Sequence, residues 1–272
     1  MHPEKLPSNL LNLPARSAPA ASANLSILFA RVAGLGSALV GVLVLLGWKF
    51  NFVFLIRLRP ELASMKTVTA TSVLLVGLSL WCLSYESVRP WKTRVGTFFA
   101  ALALTIASTM VLQSAFRIDL GVDHLIARVL GSPAAMASLQ RPPVTANLCI
   151  SFLALALLFL RRKTYLFYPS QLLALLSSTM GIAALVGYAL NIKALYSIPG
   201  YTSTSPQTAT TIVALSFGVL FARPRVGVMA ALNLDTADGS WPGACCRPPS
   251  SSRFSLPACA RAARPWVSMT LR

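Results

Sequence analysis

Asp119, Asp123 and His124 are the residues of this sequence whose types and spacing come nearest to a metal site, two carboxylates and an imidazole within six residues. Arg117 and Arg128 flank them and oppose a cation, so a solvated loop is the preferred reading and no metal is assigned. His2 and His124 are the only histidines, and no Ser/His/Asp or Cys/His set can be assembled without them. Of the five cysteines, Cys82 and Cys149 lie in apolar blocks and Cys245, Cys246 and Cys259 near the end. None forms a CxxC pair or has a nearby histidine. A glycine-rich phosphate loop is also missing. No catalytic residue, cofactor or metal is therefore expected, and the chain is not read as an enzyme.

The elements that carry these residues follow from composition. Of 272 residues, 55% are hydrophobic and 11% charged, against about 25% charged in a typical soluble domain. The mean hydropathy of +0.66 is spread over blocks of about twenty residues, which predicts a polytopic membrane protein. The net charge of +17 comes from 24 Lys and Arg against 7 Asp and Glu. In a soluble protein that balance would suggest nucleic acid. Here the cations sit at block ends, where they meet anionic lipid and fix topology, so the expected partner is the bilayer and not nucleic acid.

Six blocks, about 30 to 48, 68 to 85, 95 to 114, 144 to 160, 168 to 190 and 207 to 222, can each span the hydrocarbon layer. The expected fold is an all-α polytopic membrane helix bundle of about six transmembrane helices. With a cytoplasmic N-terminus, eleven Lys and Arg fall in cytoplasmic segments and eight outside, Arg31 and Lys193 being placed at block ends. Val68-Thr69-Ala70, Val144-Thr145-Ala146 and Gln207-Thr208-Ala209 each open a block, which predicts three tandem hairpins related by an axis near the membrane normal. Residues 1 to 24 are read as a cytoplasmic leader, 25 to 235 as the bundle and 236 to 272 as a disordered tail.

An absence also shapes the functional reading. The block centres hold no ionisable group, which argues against an ion-coupled transporter. Candidates for sensing on the outer side are Thr69, Thr145 and Thr208 at the repeated starts, with Asp119, Asp123 and His124 in the longest loop. Residues 49 to 67 read as a short amphipathic segment at the interface, and Trp48, Trp81, Trp91 and Tyr85 as interfacial anchors. Ala33, Ser37 and Gly41 form a small-residue ridge, suited to packing within the molecule, with a homodimer seam as its other use.

Several short motifs carry a resemblance: Leu46-Gly47-Trp48, the run PELASMKTVTAT from Pro60 to Thr71, Ile118-Asp119-Leu120-Gly121-Val122-Asp123, Gly187-Tyr188, Ala194-Leu195-Tyr196, Thr208-Ala209 and Phe221-Ala222-Arg223-Pro224. Over about residues 25 to 235 the chain resembles the multi-helix sensory segment that precedes PAS, histidine-kinase or diguanylate-cyclase (GGDEF) modules in bacterial signalling proteins. Gln140-Arg141-Pro142-Pro143 departs from that pattern. The resemblance implies a sensor in the bacterial inner membrane, responding to an unidentified small-molecule stimulus, and followed by two more helices and a cytoplasmic output domain.

From about Ser240 the composition turns to Trp, Cys, Pro, Ser and Arg. Regrouping the codons by one base lets Ala244 to Ser250 encode Leu-Leu-Pro-Ala-Ala-Val, and lets Trp266 to Leu271 encode Leu-Gly-Leu-Tyr-Asp-Ala. The expectation is a frameshift near Gly239 that truncates the protein before its output domain. The alternative functions are a small-molecule permease and a structural membrane subunit.

Overall fold

A chain this apolar must satisfy its backbone N–H and C=O groups within each segment, and helices do so without help from water. The computed structural model describes residues 18–56, 63–84, 90–116, 118, 121–130, 143–160, 167–192, 194 and 203–222, and among these there is no strand. Eight helices are described: α1 (Ala18–Phe50), α2 (Val53–Ile56), α3 (Thr67–Leu83), α4 (Pro90–Phe116), α5 (Val122–Leu130), α6 (Val144–Leu160), α7 (Phe167–Ala189) and α8 (Pro206–Phe221). The expected tail, the basic run 161–163, Tyr85, Asp119 and Lys193 lie outside the described residues.

Local chemistry sets the helix ends. Pro90 and Pro206 open α4 and α8, where a missing N–H costs nothing, and Ser205 caps α8 by accepting from the Thr208 N–H. Asn51 and Asn191 follow α1 and α7 with φ of 60° and 56°. In each case the next N–H returns to a glycine carbonyl, Phe52 to Gly47 at 2.9 Å and Ile192 to Gly187 at 2.8 Å. Asparagine tolerates this left-handed conformation, so both helices stop in the same way.

The packing has an inner and an outer set. Helices α3, α6 and α8 touch one another; α1 lies against α3 and α8, α4 against α3 and α6, and α7 against α6 and α8. Large apolar side chains exposed on α1, α4 and α7 include Leu39, Phe98 and Leu172, whereas on the inner helices Phe217 is the one such residue described. The outer helices also contain the three segments long and apolar enough to cross a membrane, Leu25–Phe50, Pro90–Phe116 and Pro169–Ala189. The inner helices are apolar but only 16 or 17 residues long, about 25 Å.

Close contacts give the directions. A Cβ on Gly34 would come 2.9 Å from the Gly77 carbonyl, and one on Gly41 2.9 Å from that of Ala70, so α1 and α3 are antiparallel. Phe29 meets Phe221 edge-on at 5.0 Å while Ala33 approaches Gly218, so α1 is antiparallel to α8 as well. Helices α3 and α8 therefore run the same way. The small-residue ridge of α1 is thus spent inside the molecule, where missing side chains let backbones meet closely.

The three Thr-Ala starts align the inner helices residue for residue. Ala70, Val73, Gly77 and Leu80, then Ala146, Cys149, Leu153 and Ala156, then Ala209, Ile212, Ser216 and Val219 occupy matching positions, and all twelve are buried. Their spacing of 3, 4 and 3 residues is that of a helix seam facing like neighbours.

Three expectations are corrected. Residues 122–130 form a helix rather than a loop, because Val122, Ile126 and Ala127 recur at helical spacing and Ala127 is buried. Arg31 lies well inside α1, since the Ala- and Ser-rich stretch ahead of it propagates the helix back to Ala18. Trp48 is buried and donates from Nε1 to the Met65 carbonyl at 2.9 Å, so it ties α1 to the start of α3 instead of anchoring at the interface.

Candidate functional site

The inner helices differ in chemistry from one end to the other. Toward their ends the buried side chains are Leu80, Leu83, Leu157, Leu160, Val219 and Leu220, and the hydroxyls there, Ser79, Ser84 and Ser216, each donate to a backbone carbonyl. Toward their starts lie Thr69, Ser72, Asn147, Thr204, Ser205, Thr208 and Thr211, all buried. Four polar atoms of this group, Thr69 Oγ1, Ser72 Oγ and both amide atoms of Asn147, have no hydrogen-bond partner. Unpaired polar atoms at this depth are expensive, about 1–3 kcal/mol each, so the start end holds polarity that stability alone does not explain.

Thr204 is the junction of this end. Its hydroxyl is 2.7 Å from that of Thr145 at the start of α6, and its carbonyl accepts from the Tyr188 phenol at 2.5 Å near the end of α7. The next residue, Ser205, caps α8 and lies 2.7 Å from the Thr208 hydroxyl. One short segment thus joins α6, α7 and α8 through directed bonds.

A cavity of about 140 Å³ opens beside this junction, between α6, α7 and α8. Thr145 and Thr204 supply its hydroxyls, while Ala146, Ala184, Ala209 and Ile212 contribute apolar wall. Cys149 and Met180 also face it, with the thiol donating to the thioether at 3.7 Å, and Ser177 Oγ donates to the Cys149 carbonyl at 3.2 Å. Gly181 keeps α7 close to α8, since a Cβ there would come 2.8 Å from Val213 Cγ2.

The helix pair α1 and α3 repeats the frame without the site. Trp48 stands where Tyr188 does, one residue after the capping-loop glycine, and its acceptor Met65 precedes Thr69 by the four residues that separate Thr204 from Thr208. Met65 has no hydroxyl and is 1% exposed, a long side chain filling the place that Thr204 leaves polar. The hydroxyl pair therefore joins the second and third helix pairs, and the first pair has no counterpart of its Thr204 member.

The residues singled out in the sequence do not converge. Thr145 lines the cavity, Thr69 is buried with its hydroxyl unpaired, and Thr208 serves the cap of α8. His124 is exposed on α5, Asp123 belongs to the same helix, and Asp119 falls outside the described residues. Among the described residues no three His, Cys, Asp or Glu side chains gather to hold a metal. Thr204, Tyr188, Cys149 and Met180 were not anticipated. The signal for Tyr188 was present, because Gly47-Trp48 with Asn51 and Gly187-Tyr188 with Asn191 are the same pattern.

No protein-family model, curated protein or solved structure matches this chain.

Proposed function

We propose that the chain is the membrane-embedded sensory input segment of a bacterial signal-transduction protein, of the kind that drives a histidine-kinase or diguanylate-cyclase module. The observation that carries this reading is the polarity of the inner helices. The starts of α6 and α8 border a small cavity with α7 and present the Thr145 and Thr204 hydroxyls to it, while the buried side chains toward the ends of the inner helices are mostly large and apolar. A molecule bound at the starts that favours one packing of α6, α7 and α8 over another would change the spacing of the far ends, as a two-state relay requires. Phosphotransfer or cyclisation would be the task of a soluble module, because α3, α6 and α8 contain no Asp, Glu, His, Lys or Arg.

In this account all six long helices cross the inner membrane as three tandem hairpins, with a cytoplasmic N-terminus. The short inner helices are screened from lipid by the outer three, so their length of about 25 Å does not have to match the bilayer at a lipid-facing surface. The excess of Lys and Arg in the segments assigned to the cytoplasm supports the orientation.

The test is a chimera with a kinase module joined after Ala222, reconstituted in nanodiscs and assayed for autophosphorylation while small solutes are added. A solute-dependent change in kinase activity supports the sensor. Solute flux through vesicles with constant kinase activity would replace it with the permease reading.

A further inference from the structure

We infer that the cavity between α6, α7 and α8 is a binding site for a small uncharged molecule with one hydrogen-bonding head and an apolar body, such as a short cyclic alcohol or ketone. The inference rests on the reading of this cavity as the sensory input and specifies what it takes.

Size sets the first limit. At about 140 Å³ the space matches the engineered apolar cavities, about 150 Å³, that accept benzene. A ligand of six or so heavy atoms fits, and a lipid or a nucleotide does not.

Polarity sets the second. In the Thr145–Thr204 pair one hydroxyl proton is spent on the partner oxygen, which leaves one proton and spare lone pairs for a ligand. That is a seat for a single polar head. Carbonyl and hydroxyl groups both suit it, since each can accept the remaining proton.

Charge sets the third. No carboxylate, amine, guanidinium or imidazole lines the cavity, so an ion would lose its hydration with no countercharge. Ala146, Ala184, Ala209 and Ile212 offer dispersion contact to an apolar body instead. The buried equivalent of Thr204 in the first helix pair is Met65, which has no hydroxyl, so recognition of this kind belongs to the junction of α6 with α7 and α8.

Cys149 gives a direct readout because it lines the cavity, while Cys82 is buried on α3 outside it and serves as the internal control. The full chain, with Cys245, Cys246 and Cys259 changed to Ser, is placed in nanodiscs and treated with a small neutral thiol reagent. Cyclopentanol, methylcyclopentane and cyclopentylammonium are compared as protectants, with the thermal midpoint as a second measure of binding. The expected result is that cyclopentanol slows labelling of Cys149 but not of Cys82, about fivefold more potently than methylcyclopentane, and that the ammonium gives no protection. Thr145→Val should erase the preference for the alcohol, and Ala184→Leu or Ala183→Leu should abolish binding.

Equal protection by alcohol and hydrocarbon, protection by the ammonium, or no protection and no midpoint shift with any of the three would overturn the inference. Protection without any response of the chimeric kinase would leave the site standing and remove the sensor reading. A kinase response without protection of Cys149 would do the reverse.

Discussion

Trp48 and Tyr188 do the same work in two helix pairs: each sits one residue after the glycine that receives the helix-ending bond, and each donates its one ring-borne proton to a carbonyl four residues before a repeated threonine. The indole reaches Met65 and the phenol reaches Thr204. A donor at the end of one helix is thereby locked to the start of the next, which fixes how far the two can slide.

Each clamp should contribute a similar, modest amount. Hydrogen bonds between membrane helices average about 0.6 kcal/mol and reach about 1.7. Tyr188→Phe should lower stability toward the upper part of that range, and Trp48→Phe by more, because it also leaves a gap where the buried indole was. Denaturant titration of the bicelle-reconstituted protein measures it. If the bonds are structural fixtures of separate helix pairs, the double variant loses the sum of the two.

The contact of α1 with α3 depends on missing side chains. A Cβ on Gly77 would lie 2.6 Å from the Gly34 carbonyl and 2.8 Å from the Ala38 nitrogen, both backbone atoms that cannot swing aside. Gly77→Val should force α1 away and cost at least about 2 kcal/mol. Gly36→Val is the control, since a Cβ at Gly36 meets nothing within 4 Å. Thermal unfolding followed by helix content compares them; similar midpoints would mean that the ridge is not a packing surface.

Asn147 offers a test with the opposite sign. It is fully buried and neither amide atom has a partner. Replacing it with a somewhat larger apolar residue of the same branching removes an unmet polar demand at some packing cost, so Asn147→Leu should stabilise the fold by about 1 kcal/mol. A lower midpoint in the variant would contradict this account of the residue.

The assigned topology predicts a pattern of labelling. Cysteines introduced at Lys66 and Ser203, ahead of α3 and α8, should react with an impermeant thiol reagent added outside intact cells. A cysteine at Ala222, after α8, should react only once the membrane is opened. Reaction of Ala222 from outside would invert the orientation, and reaction of Lys66 and Ser203 from opposite sides would break the repeat.

Much of the bundle was legible because lipid-compatible helices announce themselves by length and apolarity, and Thr69, Thr145 and Thr208 marked the shared starts. The division into inner and outer helices was less accessible. In a soluble protein a polar face reveals the solvent side, whereas here Leu39 toward the outside and Leu153 in the core look alike. The site was hidden for a similar reason. Its walls are alanines, an isoleucine and a methionine, and Tyr188 and Trp48 are aimed at backbone carbonyls, which every residue carries. Asp123 and His124 drew attention by chemical type, yet they belong to α5, a helix whose imidazole side is exposed.

In the proposed relay, occupancy at the starts of α6 and α8 alters the far ends of these helices. Spin labels at Phe159 and Ala222, half-exposed at the ends of α6 and α8, report that separation directly by pulsed dipolar spectroscopy in nanodiscs, with and without saturating cyclopentanol. Two distance populations are expected, with weights that change when the cavity is filled, and no such change is expected in Ala184→Leu. An unchanged distribution in a sample where cyclopentanol protects Cys149 would contradict the relay, because the cavity would then bind without moving the helices that must carry the signal.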